Sequence, residues 1–392
     1  MMSRVVMLFV LTNFLSAMIP TTAVNAAESI QIAYVKTTPE SYAGVPAYMA
    51  IAEDDGLAGA RVAIVDANKT GKFLGYQLVL NEINLASDLS LTEDQQSTIK
   101  ASSAIIIDAD IEQYNALVES LTVLNSGALL LNVRNLADDA RSQHCSSLLV
   151  HIAPTYQMKA DALAQWLVTK RIKDVLTIYG PTAEDKAFVQ SFETSAKKFR
   201  LNIVEAKEWQ FSFDLRRNAF TEIPVFTRTR KKYSAVFSAD HASQFAYSLP
   251  FNTHLIVPVI GSAGLKPVGW HLTHEQWGAR QLQGRFSEQA GRRMSEFDYF
   301  AYVAITTVSA AVQQLKERTG QNIYDQLVDQ QANIAAYKGR QLTFRKNTRQ
   351  LRQPILLAHA GALVTHAPLT GFLHQSNDLD TLGNESQVCE VK

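Results

Sequence analysis

Residues 104–133 read AIIIDADIEQYNALVESLTVLNSGALLLNV and contain a strand–helix–strand unit. Ala104 to Asp108 is a short apolar run that ends in a carboxylate, and Ala128 to Val133 is a second apolar run. Gln113 to Leu124, between them, has the residue spacing of a helix. Because each run is apolar on successive residues, we expect both strands to be buried on both faces. This pattern is typical of a parallel sheet covered by helices on both sides.

The same alternation continues in both directions along the chain. We predict further strands at Ile30–Val35, Tyr76–Ile83, Val175–Tyr179, Ser234–Ser238 and Leu255–Ile260. We predict further helices at Leu57–Asn68, Tyr156–Lys170, Ala183–Phe199 and Phe297–Leu315. The pattern restarts near the middle of the chain without a flexible linker. The fold class predicted from the residues is therefore α/β, with two lobes that each contain a parallel sheet flanked by helices.

Composition excludes several classes of protein. The chain has 392 residues, 47% of them hydrophobic, which is too apolar for a disordered chain. Its 37 basic and 37 acidic residues balance, whereas a nucleic-acid-binding protein would have an excess of basic residues. The sequence contains no nucleophile elbow, P-loop or dinucleotide-binding loop, so we predict a protein without catalytic residues, that is, not an enzyme.

The first 26 residues resemble a secretory signal peptide. Arg4 is their only charge, Val5 to Ile19 is mostly apolar, and Val24 and Ala26 occupy the −3 and −1 positions of a cleavage site. The alternative is an uncleaved anchor helix, but the apolar run is shorter than the roughly 20 residues that span a bilayer. We expect cleavage after Ala26, or after Ala27, and export of a mature chain with a formal charge of −1.

Cys145 and Cys389 are the only two cysteines. In an exported protein, two cysteines suggest one disulfide, and this one would close a loop longer than half the chain. The chain-entropy model gives such a loop on the order of 5 kcal/mol of stabilisation. The alternative is a pair of free thiols. With so few soft ligands, we predict no metal site.

Parallel sheets bind ligands at the carboxyl ends of their strands, so the residues that follow each predicted strand are candidates for ligand binding. In chain order they are Thr38, Tyr42, Asp110, Arg134, Asn135, Tyr179, Asp185, Asp240, His241 and Ser262. Two lobes that face each other with these loops would form a cleft, and closure of the cleft would exclude water around a small ligand.

Several candidates have a simpler structural interpretation. We favour a helix-capping role for Asp108 over a role in a paired-carboxylate site with Asp110. Arg134 suits the clamping of an anionic ligand, but it could equally form a surface ion pair with Asp138 or Asp139. His271 and His274 have the spacing of a helical metal pair, but no third ligand can be named, so we do not predict a metal there.

The order of elements resembles the periplasmic solute-binding proteins of the branched-chain amino-acid type, which have the type I periplasmic-binding fold. The clearest local match is Gly59-Ala60-Arg61, followed by Asn68-Lys69-Thr70-Gly71 and the strand Tyr76-Gln77-Leu78-Val79. Further matches are Tyr302–Leu315 and the segment from Leu342 to Leu357.

Within that family the chain is most similar to a branch that accompanies pyrroloquinoline-quinone-dependent alcohol oxidation. The stretches that carry this similarity are Thr70–Gly75, Ala160–Gln165, Gln276–Ala279 with Gln281–Gln283, Leu351–Pro354 and Leu379–Gly383.

The resemblance implies a receptor that traps a small solute and presents it to the permease and ATPase subunits of an inner-membrane ABC importer. It also implies three hinge crossings, with 27–150 plus 271–340 in lobe 1, 151–270 plus 341–376 in lobe 2, and 377–392 as a tail. Such crossings would place Cys145 close to the closing segment. We expect a periplasmic monomer without a cofactor. Ser and Thr hydroxyls hold the ligand carboxylate in the amino-acid binders. Asp110 follows the third strand here and would repel a carboxylate, although Arg134 could offset this repulsion, so the sequence does not identify the ligand.

Overall fold

The computed structural model describes residues 27–38, 51–142, 148–209, 219–372, 374–384 and 388. The predicted signal peptide, Tyr42, Cys145 and Cys389 lie outside the described residues. Export, cleavage and the disulfide therefore stay predictions. Within the described residues, no helix is both long and apolar enough to cross a membrane.

The first half of the chain forms a five-stranded parallel sheet in the order β2-β1-β3-β4-β5. Its strands are β1 (Glu28–Thr37), β2 (Tyr76–Leu85), β3 (Ala104–Asp108), β4 (Leu129–Asn132) and β5 (Leu149–His151). The helices that connect them are α1 (Leu57–Leu74), α2 (Glu93–Ala101) and α3 (Ile111–Leu124). Every residue of β3 and β4 is buried, which confirms the interpretation of these runs as strands covered on both faces.

The second half forms a four-stranded parallel sheet in the order β7-β6-β8-β9. Its strands are β6 (Asp174–Tyr179), β7 (Asn202–Glu208), β8 (Ala235–Ala239) and β9 (Val259–Gly261). The helices of this part are α4 (Tyr156–Thr169), α5 (Ala183–Phe199), α6 (Ala219–Phe226) and α7 (Leu249–Asn252). The predicted strand Leu255–Ile260 is shorter in the structure and begins at Val259, because Leu255 to Pro258 lie outside the sheet and Ile256 is fully exposed.

The last third of the chain returns to both halves. Its elements are β10 (Lys266–Val268), α8 (Ala279–Ala290), α9 (Glu296–Val312), α10 (Gly320–Val328), β11 (Ile334–Ala335), β12 (Gln341–Leu342), β13 (Ile355–His359) and β14 (Ala362–Ala367). Helix α9 packs on α1, and β10, β13 and β14 form an antiparallel sheet against α4. Segments from the last third of the chain therefore pack on elements of both the first and the second half. The lobe boundaries proposed from the sequence stay a prediction.

Local signals explain where the helices begin. Helix α5 begins at a capping box in which the Thr182 hydroxyl accepts from the backbone N–H of Asp185, and α9 begins at a similar box between Ser295 and Asp298. Helix α1 passes very close to α9, since a Cβ atom built on Gly59 would lie 1.8 Å from the backbone oxygen of Asp298. Only glycine permits this approach.

Candidate functional site

A cavity of about 340 Å³ lies where the carboxyl ends of strands from both parallel sheets face each other. Asp110 and Arg134 reach it from loops that follow β3 and β4, and Asp185 and His241 reach it from segments that follow β6 and β8. The position agrees with the rule that parallel sheets present ligand sites at their carboxyl edge. The predicted residues that line this cavity are Asp110, Arg134, Asn135, Asp185, Asp240, His241 and Ser262.

Three predicted residues are not among the described residues that line the cavity. Thr38 is exposed, and its hydroxyl donates to the backbone oxygen of Leu85 at 3.3 Å. Tyr179 is half-buried against the core of the chain, and its backbone oxygen accepts from Trp209. Tyr42 lies outside the described residues.

Arg134 lies at the centre of a buried ionic network beside the cavity. Its Nη2 atom donates to Asp55 Oδ2 at 2.9 Å, and its Nε atom donates to Asp108 Oδ1. Its guanidinium carbon lies 4.1 Å from the centre of the Phe297 ring. Burial alone would lower the pKa of Arg134, but the carboxylates of Asp108 and Asp55 outweigh this effect and raise it. The surface ion pair that we considered for Arg134, with Asp138 or Asp139, is wrong because its partners are these two buried aspartates.

The structure also corrects the role that we favoured for Asp108. The capping position of α3 is occupied by Asp110, and Asp108 is fully buried at the end of β3. Asp108 accepts from the Tyr34 hydroxyl at 2.5 Å as well as from Arg134. Burial, followed by the Asp108 charge, raises the pKa of Tyr34 well above its usual value, so that it stays a hydrogen-bond donor.

Asp185 and Asp240 line the cavity, but their oxygens hold the backbone of the second sheet's loops. Asp185 accepts from the backbone N–H of His241 at 2.7 Å and from that of Thr182 at 3.3 Å. Asp240 accepts from three consecutive backbone N–H groups, those of residues 244–246. Burial raises the pKa of Asp185 to about 6, although the bond from His241 opposes the rise. These hydrogen bonds tie the two loops together beside the cavity.

Two other carboxylates of the cavity have no such partner. Asp110 begins α3 without a side-chain capping bond, and Glu184 lies in the first turn of α5 with only 8% of its surface exposed. Within the described residues, neither side chain makes a hydrogen bond or an ion pair. Their oxygens and a ring nitrogen of His241 all lie within 4.8 Å of one another. Burial raises the pKa of Asp110, while the charges of Arg134 and His241 lower it.

Glu184 is a residue that the strand-exit rule missed. Glu184 lies in the first turn of the helix that follows β6, directly before Asp185, which is among the predicted residues. The acidic pair Glu184-Asp185 after a capping threonine is the sequence signal that could have found it.

The cavity lining also contains two lysines that were not predicted from the sequence. Lys159, from α4, forms an ion pair with Glu296 at 2.6 Å. Lys266, at the start of β10, lines the cavity without a hydrogen bond or ion pair among the described residues. Lys159 lies on α4 and Lys266 on β10, and these two elements pack against each other. Their position at the cavity therefore depends on tertiary packing, which the local sequence does not report.

The histidines and tryptophans of residues 270–277 lie outside this cavity. His274 is buried, and its Nε2 atom bonds to the backbone oxygen of Tyr337 at 2.8 Å. Trp270 stacks on Tyr299, with ring centres 4.5 Å apart, and Trp277 is half exposed. Packing therefore accounts for His274 and Trp270.

Comparisons with known proteins agree with this architecture. A model of the family described as "Periplasmic binding protein" matches residues 45–212. The Leu-, Ile-, Val-, Thr- and Ala-binding protein of Brucella ovis, in its closed conformation, superposes with a TM-score of 0.69 at 14% identity, covering 93% of this chain and 100% of that one. The fold is the type I periplasmic-binding fold. The fold class predicted from the sequence is confirmed.

Other structures with this binding-protein fold carry bound ligands of different kinds. LivJ of Streptococcus pneumoniae, in complex with isoleucine, has a TM-score of 0.62 at 17% identity over 86% of this chain and 99% of that one. A solute-binding protein of an ABC transporter of Rhodopseudomonas palustris, in complex with 3,4-dihydroxybenzoic acid, has a TM-score of 0.63 at 12% identity over 86% and 95%. No curated protein matches the chain in sequence. At these identities the likeness establishes the binding-protein fold, and the ligand depends on this chain's own cavity.

Proposed function

We propose that the chain is an exported solute-binding protein that traps a small polar solute in the cavity between the two sheets and delivers it to an ABC importer. The observation that carries the proposal is the cavity itself, which takes residues from the carboxyl ends of strands in both sheets. Its volume of about 340 Å³ is within the range of small-molecule sites. In this proposal, the solute binds one side first and closure then adds the contacts of the other.

The charges of the cavity support a solute with polar or charged groups. Five carboxylates and three cations line it among the described residues. Arg134 is already neutralised by Asp55 and Asp108, so Lys266 is the cation best placed to bind an anionic group of the solute. Asn135 and Ser262 supply neutral polar groups. We expect binding without chemistry, because the described residues that line the cavity include no paired nucleophile and base.

The wider assignment follows from sequence resemblance. We propose a periplasmic location, with the predicted signal peptide cleaved near Ala26, a monomeric state, and the permease and ATPase subunits of an importer as partners. We also propose a link to alcohol oxidation that depends on pyrroloquinoline quinone, because five sequence stretches resemble that branch. Relatives of the same fold whose structures contain isoleucine or 3,4-dihydroxybenzoic acid support solute binding in general.

A thermal-shift screen tests the proposal directly. Small alcohols, their acids, amino acids and quinone cofactors would be added at millimolar concentration, and a ligand at 100 times its Kd should stabilise the protein by about 2.7 kcal/mol. Lys266→Met should weaken binding of an anionic hit at least tenfold, whereas Lys316→Met, on an exposed position outside the cavity lining, should not. Failure of every solute class to stabilise the pure protein would contradict the proposal.

A receptor of the same fold that senses a ligand without transport would give the same thermal shifts. A neighbouring sensor kinase gene in place of permease and ATPase genes would favour that alternative.

A further inference from the structure

We infer that Asp110, Glu184 and His241 form a site for a divalent first-row transition-metal ion that bridges the two sides of the cavity. The inference deepens the proposed function, on which it rests, because it names a ligand of the same cavity. It also departs from the sequence-based prediction that the chain has no metal site. Its basis is the way that tertiary structure brings three potential ligands together from two sheets.

The first argument is geometric. One ligand atom from each of the three residues lies within 4.8 Å of the other two. Carboxylate oxygens and imidazole nitrogens bind zinc at about 2.0–2.2 Å, which places ligand atoms roughly 3–4 Å apart. Small side-chain rotations would therefore complete the set. Asp110 comes from the first sheet, whereas Glu184 and His241 come from the second, so a bound ion would hold the cavity closed.

The second argument is the condition of Glu184. The residue is 8% exposed and lines the cavity, yet its side chain makes no hydrogen bond or ion pair within the described part of the chain. A buried carboxylate without a partner is costly, and charges inside proteins are normally paired or coordinate a metal. Glu184 also faces Asp110, a second carboxylate without a hydrogen bond, across a gap of at most 4.8 Å. Two carboxylates at this distance repel each other unless a cation lies between them.

The arginine and lysine side chains that line the cavity do not pair with Asp110 or Glu184 among the described residues, and this includes Lys266. Arg134 attracts Asp110, but its Nε and Nη2 donors are directed at Asp108 and Asp55. Lys159 is paired with Glu296.

The chemistry of the donors selects the class of ion. An imidazole nitrogen beside two carboxylates suits zinc, manganese, cobalt or nickel, whereas calcium and magnesium prefer oxygen ligands alone. Three protein ligands leave coordination positions open toward the rest of the cavity, where a water molecule or a polar group of the solute could bind.

The test is isothermal titration of the full mature protein, free of any affinity tag, with Zn²⁺, Mn²⁺ and Ca²⁺ after treatment with a chelator. We expect one Zn²⁺ or Mn²⁺ per chain, and weaker binding of Ca²⁺. Glu184→Gln and His241→Ala should each lower the affinity more than tenfold. Glu193→Gln, a half-buried position on the same helix α5 and outside the cavity lining, is the matched control and should bind as the wild type does.

A second readout separates a ligand role from a structural role. Without metal, Glu184→Gln should unfold at a temperature at least as high as the wild type, because it removes one of two facing carboxylates. With metal, only the wild type and Glu193→Gln should gain stability. No binding of Zn²⁺ or Mn²⁺, or equal binding by wild type and Glu184→Gln, would overturn the metal site. If an organic solute stabilises the metal-free protein while neither ion binds, the metal site fails and the proposed function stands.

Discussion

Replacement of Arg134 by methionine should strongly destabilise the fold. The side chains of Arg134, Asp55 and Asp108 are 6%, 6% and 0% exposed, so the change leaves two buried carboxylates without their counter-ion. Removal of one partner from a buried ion pair typically costs about 3–5 kcal/mol. That is a large part of the 5–15 kcal/mol by which most folded proteins are stable. The lost contact with the Phe297 ring adds to the effect.

Urea unfolding followed by tryptophan fluorescence measures this loss of stability. Arg61→Met is the matched control, because Arg61 also pairs with a carboxylate through two bonds of 2.6 Å to Glu82, but on the surface. Exposed pairs contribute about 0–1 kcal/mol, so the control should lose no more than that. A loss of stability from Arg134→Met no larger than the control's would refute a structural role for this network.

Two further predictions concern stability, and a third concerns the two cysteines. Gly59→Ala should destabilise the protein by about 1–3 kcal/mol, because its Cβ would meet the Asp298 backbone, whereas Gly284→Ala, with open space in helix α8, should be neutral or stabilising in the same urea assay. Burial lowers the pKa of Lys338 to about 7, so as the pH rises its ammonium group loses a proton at a lower pH in the folded state than in the unfolded chain. Stability should then rise by up to about 1.4 kcal/mol per pH unit from pH 7 toward 10, and a Lys338→Met variant that kept this rise in urea titrations would contradict the assignment. Mass spectrometry of unreduced protein should show Cys145 joined to Cys389, and two alkylated thiols would exclude the disulfide.

Local sequence patterns predicted most of the architecture because they report burial and helix ends directly. The helix Ala183–Phe199 has its predicted bounds, since a capping threonine and an apolar stripe define it locally. Strand β3 could be predicted because every one of its residues is buried, which gives a continuous apolar run that ends at Asp108. Strand β7 was missed because it lies at the edge of its sheet and is largely exposed, so it lacks the apolar pattern of a covered strand.

The candidate site depended more on tertiary structure. The sequence by itself determined the α/β class and the positions where strands end. The residues that follow these strands were predicted to approach a cleft, and seven of them line the cavity. Only the folded chain decided that Arg134 pairs with Asp55 and Asp108, and that Glu184 faces Asp110 across two sheets. The physical reason is the distance along the chain over which each effect acts. Periodicity and capping act over a few residues, whereas these charges come from distant segments whose proximity is fixed by the packing of whole elements.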